Sequence, residues 1–508
     1  MKKNFRCENY IDHLPVPVYE ARPDYKELYY KAWELARRQV KSIPSMPQDP
    51  YMDESLCDTQ VWIWDSCFMS LFCKFAGDVF PGVETLDNFY EVLYGGKSLP
   101  SIVATEKEPR WTGAKAGEES PIYIHIADNP PLFAWAEYEN ALMSGDTERI
   151  RALLYDKKYL QKHYEWFESL RESEQPRGVF LPTRLVAEEL GYRWEGGRSG
   201  MDNTPRGRVA VGDSAERPDA KDLLWVDAIC QQSLAARSIS RLFDLVGDKE
   251  NSSVWAAKSD EKKKIIEDCY WDEKDGFYYD IDVNSRDFCK VMTVASYWTL
   301  TANVASDERA KRLAELVSDE SAFGGKVPLI SLARGDGDYR PDGRYWRGGL
   351  WLPTAYAALK GLSEYGYHEV AHEAAIKIVD HMLDTYKTFE PHTIWECYSP
   401  EEPTPALTPK GDKFVRPNFC GWSALGPISI YIEHILGFYK ADAFSRVLCW
   451  AKPEAEGEIG VKNFRFGDII TDIVAKNGVC TVKSNAPYTL EICGKAYTVF
   501  PGENEFKI

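Results

Sequence analysis

About twelve amphipathic helical segments follow one another between residues 25 and 440. Within each segment, apolar residues recur at spacings of three and four, which places them on one face of a helix. The most regular segment, residues 222–246, reads DLLWVDAICQQSLAARSISRLFDLV. Strand-like runs in this stretch are few and short. The other predicted helices cover residues 25–40, 65–76, 85–93, 130–144, 148–171, 252–269, 289–303, 307–318, 348–363, 367–385 and 421–437.

Long irregular connections rich in Gly, Pro and Trp separate many of these helices, at residues 95–128, 172–220, 319–347 and 388–420. Connections longer than about 15 residues in a compact domain are usually functional. Twelve helices with such connections predict a mainly α fold, an (α/α)6 toroid whose inner and outer helices leave their loops at the mouth of a central cavity. No internal sequence repeat supports the ring, so this prediction depends on helix number and order.

After residue 451 the sequence changes to short alternating β-type runs such as GVCTVKS and YTLEIC, broken by Asn-Gly, Gly-Asp and Pro-Gly turns. We therefore predict a helical catalytic domain at residues 1–450 and a small β-sheet or sandwich domain at residues 451–508. A structural role is the simplest interpretation of the β domain, and carbohydrate binding is the alternative.

The charge balance limits the partners that this chain can have. Its 508 residues include 61 Lys and Arg against 79 Asp and Glu, a formal net charge of −18, which repels nucleic acid and anionic membranes. The N-terminal residues contain no apolar run of the length of a signal peptide or membrane span, so we expect a cytoplasmic location. The scattered cysteines, among them Cys67, Cys73, Cys230 and Cys289, are predicted to be reduced core thiols.

The loop at residues 191–207, GYRWEGGRSGMDNTPRG, places Asp202 after three glycines and before a Pro-Arg pair. Glycine permits sharp turns and close approach of the backbone to a ligand. Asp202 is therefore a candidate acid presented into a cavity. The alternative is that Asp202 and Asn203 only make hydrogen bonds within a turn.

A second candidate acid, Glu396, lies in the segment HTIWECYSPE between Trp395 and Tyr398. Loss of solvation among aromatic rings raises the pKa of a carboxyl group unless a cation or hydrogen bonds compensate. Glu396 could equally be paired with an arginine. Asp202 and Glu396 are far apart in the sequence, so they meet only if the chain closes on itself.

Aromatic residues make up 13% of the chain. Aromatic rings match the apolar faces of sugars, and cleavage of a glycosidic bond needs two carboxyl groups across a cavity. One protonates the leaving oxygen, and the other acts as nucleophile or activates water. Further aromatic and acidic residues of this kind occur in VWIWDSCF (Trp62, Trp64, Asp65), RYWRGGLW (Tyr345, Trp346, Trp351) and FCGWSALGP (Trp422).

Six motifs, WIWDS, NPPLFAW, GMDNTPR, YWRGGLWLP, WECYSPE and GWSALGP, resemble those of glycoside hydrolase family 63 and the related mannosylglycerate and glucosylglycerate hydrolases. These families belong to the six-hairpin glycosidases, with the trehalases as more distant relatives. The motifs occur in the matching order between about residue 60 and residue 430. The resemblance implies an (α/α)6 barrel and an inverting mechanism on α-linked sugars.

By this resemblance, Asp202 is the general acid and Glu396 is the general base. Where relatives commonly have Gln before the Pro-Pro pair, this chain has Asn129, whose shorter side chain changes its reach to a sugar hydroxyl. The resemblance further implies that the sugar site is lined by Trp62, Trp64, Asp65, Tyr345, Trp346 and Trp351.

Two other motifs suggest metal sites but are incomplete. Residues 368–372, HEVAH, match the zinc motif H-E-x-x-H but have no convincing third ligand. Residues 335–343, GDGDYRPDG, place Arg340 where a calcium loop needs an oxygen ligand. We therefore predict neither a metal nor a cofactor.

The predicted function is inverting hydrolysis of a small α-linked oligosaccharide or glycoside, as by an α-glucosidase. A polysaccharide lyase or sugar epimerase on the same toroid is one alternative, although such enzymes usually depend on His or Tyr bases and this chain has only 8 His. A non-catalytic glycan-binding protein is the other, and it would have lost one of the two acids. The sequence does not determine the sugar, the linkage, the aglycone or the oligomeric state.

Overall fold

Helices predominate up to residue 435 and strands after residue 440. The structure, a computed structural model, describes residues 3–55, 58–93, 95–106, 115–116, 120–125, 130–171, 185–194, 199–207 and 219–508. The α-helices are α1 Tyr25–Arg38, α2 Ile63–Cys73, α3 Asp87–Tyr90, α4 Phe133–Ser144, α5 Thr147–Arg151, α6 Tyr159–Ser169, α7 Val226–Leu245, α8 Lys249–Cys269, α9 Trp298–Thr301, α10 Asp307–Leu316, α11 Leu352–Glu364 and α12 His368–Thr388.

Short strands occur throughout the helical body, and longer ones follow it. The strands of the body and its N-terminal segment are β1 Val16–Tyr19, β2 Val40–Lys41, β3 Tyr51–Met52, β4 Gln60–Trp62, β5 Ile102–Ala104, β6 Tyr123–His125, β7 Val186–Glu188, β8 Gly191–Arg193, β9 Leu223–Leu224, β10 Trp271–Asp272, β11 Phe277–Tyr278, β12 Asp280–Asp282 and β13 Phe288–Cys289. The later strands are β14 Lys440–Asp442, β15 Val447–Trp450, β16 Ile459–Phe466, β17 Ile469–Lys476, β18 Val479–Ser484, β19 Tyr488–Ile492, β20 Lys495–Val499 and β21 Gly502–Lys507.

Every predicted helical segment contains helical turns, but three of them differ from a regular α-helix. Residues 289–303 were predicted as one helix, which is wrong at its start because Cys289 belongs to β13 and pairs with Asp280 of β12. In the segment predicted at residues 421–437, residues Gly426–Ile435 form a π-helix. The segment predicted at residues 148–171 is interrupted at Lys158, which has a φ of 55°.

Six helical segments contact one another in a cyclic order. Helix α2 contacts α4, α4 contacts α7, α7 contacts α9 and α9 contacts α11. Helix α11 contacts the π-helix 426–435, which returns to α2. We call these six segments the inner helices. Helix α8 packs on α7, and α12 packs on both α11 and the π-helix, so other helices lie outside this cycle.

Tryptophans stand just before several inner helices. Trp62, Trp225 and Trp351 immediately precede α2, α7 and α11, each with an extended backbone. Trp422 precedes the short 3-10 turn Ser423–Leu425 that leads into the π-helix. The N-terminal ends of four inner helices therefore carry an aromatic ring.

Away from the tryptophans, four inner helices are joined by ion pairs that are largely shielded from solvent. Lys74, which follows α2, lies 3.0 Å from Glu139 of α4 and 2.9 Å from Glu433 of the π-helix. Lys360 of α11 lies 3.1 Å from Glu139 and 3.2 Å from Glu433. We call these four residues the charge square. Burial opposes ionisation of Glu139, but Lys360 and Lys74 lower its pKa to about 2, so Glu139 is a carboxylate.

Residues after 440 form two sheets that pack face to face. One sheet has the strand order β1-β16-β17-β18-β21, and the other has the order β14-β15-β19-β20. Between them, the Tyr488 ring lies 5.5 Å from Phe466, and its hydroxyl lies 3.0 Å from the Thr471 hydroxyl. Strands on both sides of residue 450 therefore share a sheet, and the domain boundary at residues 450 and 451 stays a prediction.

The sandwich and the helical body share one core. The Phe464 ring of β16 lies 6.1 Å from Phe75 and 6.0 Å from Phe438, both of the helical body. The thiols of Cys67, Cys73 and Cys230 are buried, as predicted. None of the helices in the described ranges combines the length and apolar content of a membrane span. The cytoplasmic location stays a prediction.

Candidate active site

The main chain of Glu396 is held on both sides by hydrogen bonds. Its N–H donates to the carbonyl of Arg416 over 3.0 Å. Its carbonyl accepts from Trp422 Nε1 at 2.9 Å and from the Ser423 hydroxyl at 3.1 Å. Because Trp422 and Ser423 lead into the π-helix, these bonds fix Glu396 relative to an inner helix.

The carboxyl group of Glu396 is 4% exposed and has two kinds of partner. The Tyr345 hydroxyl donates to Oε1 over 3.0 Å, and the Arg416 N–H donates to Oε2 over 3.3 Å. Arg416 Nη1 lies 3.7 Å from Oε1. The two interpretations of the sequence therefore coexist, since Glu396 is both an acid among aromatic rings and a neighbour of an arginine.

The loop that carries Asp202 approaches Trp64 closely. Gly200 has a φ of +83°, and a Cβ at this position would lie 2.4 Å from Trp64 Cη2, so only glycine fits. The Thr204 N–H donates to the carbonyl of Met201 over 2.9 Å, which closes a turn around Asp202. The Asp202 side chain is exposed, unlike that of Glu396.

Asn203, the next residue, joins this loop to the loop of Tyr345. Its Nδ2 donates to the carbonyl of Arg344 over 3.0 Å, and its Oδ1 accepts from the N–H of Trp346 at 2.8 Å. These bonds reach a distant loop, so they differ from the hydrogen bonds within a turn that the sequence suggested as the alternative for Asp202 and Asn203.

Arg206 anchors the other side of the loop. Its guanidinium donates to both carboxylate oxygens of Asp227, over 3.0 and 2.6 Å, and Nη1 lies 3.4 Å from Asp280. It also stacks 4.2 Å above the ring of Trp225. All these groups are buried, and Asp227 lies in the first turn of α7, so the loop is fastened to the start of an inner helix.

Asp65, in the first turn of α2, is a buried carboxyl group whose Oδ1 has no hydrogen-bond partner among the described residues. Burial raises its pKa well above the ordinary value, and Glu396 and Asp202 raise it further, while Arg416 opposes this effect. The pKa of Asp65 therefore shows that Asp202 and Glu396 act on the same group.

The pKa of the Tyr345 hydroxyl also depends on both Glu396 and Asp202. Burial raises this pKa well above the ordinary value, and the charges of Glu396 and Asp202 add to this effect. Residues that are far apart in the sequence, Asp65, Asp202, Tyr345 and Glu396, therefore interact electrostatically at one place. The structure brings together both predicted acids and two of the predicted sugar-binding residues.

The predicted aromatic residues form one connected group beside the acids. The rings of Trp346 and Trp351 stack 4.1 Å apart at an interplanar angle of 4°, and both are buried. Trp64 lies 6.3 Å from Trp346 and 6.0 Å from Trp422. Trp62 ends β4 directly before α2 and is partly buried. Asn129 lies outside the described residues.

Sequence reasoning did not single out Asn203, Arg206 and Arg416 as parts of the site. Asn203 and Arg206 belong to the motif GMDNTPR, whose length beyond the acid was the available signal. Arg416 had no local signal, because its proximity to Glu396 arises from the pairing of Trp395 with Pro417 across a loop.

The described residues contain no group of three or more potential ligands that could hold a metal ion. His372 of the HEVAH segment interacts through Nδ1 with the carbonyl of His434 at 3.1 Å. The ring of His368 lies 4.4 Å from that of Tyr439. These two histidines take part in packing between α12 and its neighbours.

Comparison with known proteins identifies the family. Residues 58–412, more than half of the chain, match the model of the mannosylglycerate hydrolase MGH1-like glycoside hydrolase domain. The chain belongs to this family. It is therefore a glycoside hydrolase of the family 63 type, as the six motifs indicated, and the hydrolase interpretation replaces the alternatives of a lyase, an epimerase and a non-catalytic protein.

Individual members of the wider group resemble the chain over different lengths. An uncharacterized protein of Borreliella burgdorferi is 25% identical, with 91% of this chain and 90% of that protein aligned. A probable mannosyl-oligosaccharide glucosidase of Schizosaccharomyces pombe is 24% identical. The aligned region covers 57% of this chain but only 36% of the glucosidase. The activity of that longer protein is therefore not assigned to this chain.

Solved structures support the fold. The crystal structure of the family 63 mannosylglycerate hydrolase from Thermus thermophilus in complex with glucose superposes with a TM-score of 0.59 at 20% identity. The match covers 79% of this chain and 99% of the hydrolase. This chain thus has the helical fold of that enzyme, and it also contains residues that lie outside the superposed region.

Proposed function

We propose that this glycoside hydrolase cleaves a small α-linked glycoside with inversion, with Asp202 as general acid and Glu396 as general base, on an (α/α)6 toroid. The observation that carries the proposal is that the Tyr345 hydroxyl bonds to Glu396, while Asn203, which follows Asp202 directly, bonds to the residues on both sides of Tyr345. The loops of the two acids therefore meet at Tyr345, and the directions of the pKa shifts of Asp65 and Tyr345 agree with this. The cyclic contacts of the six inner helices support the toroid.

Glu396 is suited to the role of base. The Tyr345 hydroxyl and the Arg416 N–H donate to its two carboxyl oxygens, and Arg416 Nη1 lies 3.7 Å from Oε1, so the carboxyl group is held in one orientation. The carboxylate takes a proton from a water molecule, which attacks the anomeric carbon. An inverting enzyme accommodates this water by holding its two carboxyl groups about 6.5–9.5 Å apart.

Asp202 is suited to the role of acid. Its exposed side chain lies on a loop, where it can reach the glycosidic oxygen from the open side of the site. It donates its proton to that oxygen as the bond to the anomeric carbon breaks, so that the aglycone leaves as a neutral alcohol. The two proton transfers together consume one water and leave Asp202 ionised and Glu396 protonated before solvent resets them.

The sugar would contact Trp62, Trp64, Asp65 and Tyr345. The Asp65 Oδ1, which has no hydrogen-bond partner among the described residues, can accept a hydrogen bond from a sugar hydroxyl. The stacked pair Trp346 and Trp351 forms the wall behind Tyr345, whose ring lies 4.6 Å from that of Trp351. The predicted contact from Asn129 stays part of the proposal.

The substrate class we favour is a glycoside of the mannosylglycerate type, which has a carboxylate on its aglycone. Support comes from the family match and from Arg416, whose side chain is 54% exposed beside the acids and can receive an anionic group. Neutral α-glucosides are the second candidate, because the chain also resembles a mannosyl-oligosaccharide glucosidase.

Proton NMR of fresh reaction mixtures tests the proposal. The purified enzyme is mixed with α-mannosylglycerate, α-glucosylglycerate, trehalose and α-linked glucose disaccharides in turn, and the first anomer released is recorded. We expect the β-anomer of the sugar to be released first, and we expect one of the two glycerate glycosides to be the best substrate. Release of the α-anomer first would show retention, and no release from the whole panel would refute the substrate class.

A further inference from the structure

We propose that Asn203 is a positioning residue that fixes Asp202 relative to Glu396. This inference rests on the proposed roles of the two acids. Asn203 follows Asp202 directly, and its two hydrogen bonds end on the residues before and after Tyr345. The Tyr345 hydroxyl then bonds to Glu396. One side chain thus connects the loop of the acid to the residue that holds the base.

The geometry requires an amide at position 203. One of its bonds needs a donor, to the Arg344 carbonyl, and the other needs an acceptor, from the Trp346 N–H. An aspartate keeps the acceptor but loses the donor, and its charge would face a carbonyl oxygen. An alanine loses both bonds and leaves two backbone groups of the other loop without these partners.

The loop that Asn203 contacts has an unusual backbone. Arg344 and Tyr345 have φ values of 32° and 66°, a region that side-chain-bearing residues rarely adopt. Such conformations persist when the surroundings hold them. Asn203 bonds to the residues before and after Tyr345. Trp351 Nε1 donates to the carbonyl of Tyr345 over 3.0 Å. Asn203 is therefore part of what orients Tyr345.

The two acids depend on Asn203 to different degrees. Glu396 keeps its bonds to Arg416, Trp422 and Ser423 whether or not Asn203 is present. Asp202 lies on a loop that is fastened at Arg206 and packed on Trp64 at Gly200. Between these two points, the side-chain amide of Asn203 bonds to the residues on both sides of Tyr345. Its loss should displace the acid more than the base.

Leaving-group dependence distinguishes this role from a structural one. A glycosyl fluoride needs no general acid, because fluoride departs without a proton, whereas an alkyl glycoside needs one. We expect Asn203→Ala to lower kcat on the alkyl glycoside by about 100-fold, with KM within about threefold, since misplacement by about 1 Å costs about that much. On the α-fluoride of the same sugar, the loss should be about threefold.

Asn485 provides a matched control. Its side chain accepts from the Ile470 N–H at 2.7 Å and donates to the Asp468 carbonyl over 2.9 Å, which is the same bonding pattern within the sandwich. Asn485→Ala should change kcat on neither substrate. Asn203→Asp should resemble Asn203→Ala, because the donor is lost in both.

Equal losses on the two substrates, or an Asn203→Asp enzyme with full activity, would overturn the inference. A second measurement protects it against a variant that folds poorly. Activity of Asn203→Ala on the α-fluoride within about threefold of the unaltered enzyme shows that the variant is folded, so a loss confined to the alkyl glycoside then reports on the acid. Failure of the proposed function would look different, since the unaltered enzyme would then release no sugar or would release the retained anomer.

Discussion

The two ends of the inner helices hold carboxyl groups whose pKa values shift in opposite directions. At the end that carries the charge square, Glu139 has two lysine partners, and its pKa falls to about 2. At the end with the tryptophans, burial and the charges of Glu396 and Asp202 raise the pKa of Asp65 well above its ordinary value. Two lysines thus lower the pKa of a carboxyl group at one end, and burial beside other carboxyl groups raises the pKa of one at the other end.

The difference shows that the neighbours of a carboxyl group inside the protein determine the direction in which its pKa shifts. Paired carboxylates join helices, because removal of either partner leaves an uncompensated charge. Carboxyl groups that lie close to one another have shifted pKa values, and groups with such pKa values can transfer protons during catalysis. Helix α2 connects the two situations, since Asp65 lies in its first turn and Lys74 directly follows its last residue.

The largest effect is expected where the carboxyl groups act on substrate. Asp202→Asn and Glu396→Gln keep the shape of each side chain but remove the proton transfer, so each should lower kcat by about 10²- to 10⁴-fold. The melting temperature should stay close to that of the unaltered enzyme. Stopped assays at saturating substrate measure the first quantity and calorimetry the second. Full activity in either variant would remove that residue from the mechanism.

The next effect is on stability and comes from breaking the charge square. Lys360→Met leaves Glu139 and Glu433 with one lysine between them, and loss of one partner from a buried pair costs about 3–5 kcal/mol. Urea unfolding measures this loss. The double variant Lys360→Met/Glu433→Gln should recover part of it, because one lysine then faces one carboxylate. The kcat of the folded enzyme should not change, and a loss of kcat would show that the two ends are coupled.

The smallest effect is the pH dependence of stability from Asp65. Its pKa is raised on folding, so the folded state binds one more proton than the unfolded state at any pH between the unfolded and folded values. Stability therefore falls as pH rises above about 4, the pKa of an aspartate in the unfolded chain. Asp65→Asn removes this loss.

The melting temperature of Asp65→Asn relative to the unaltered enzyme should therefore increase from pH 4 to pH 7. Asp244→Asn, at an exposed surface pair with Lys249, serves as the control and should show no such trend. A constant difference for Asp65→Asn across this range would mean that Asp65 is ionised in the folded enzyme.

Local sequence patterns predicted the helical segments well, because helical spacing of apolar residues is a local signal. They failed at Cys289, where pairing with another strand overrides the local pattern. They placed Asp65 and Tyr345 near the acids only through the motif series. They could not predict that Asn203 bonds to residues 344 and 346 or that Arg416 lies beside Glu396, because these contacts join distant segments.

The antiparallel pairing of strand β1 with strand β16 has a consequence for biosynthesis. Val16 pairs with Lys462 and Tyr19 with Ile459, so the partner of this strand is synthesised much later than the strand itself. Synthesis proceeds at about 5–20 residues per second, so residues 16–19 wait for tens of seconds before they can pair. The exposed edge must stay unpaired, and clear of other nascent chains, throughout that time.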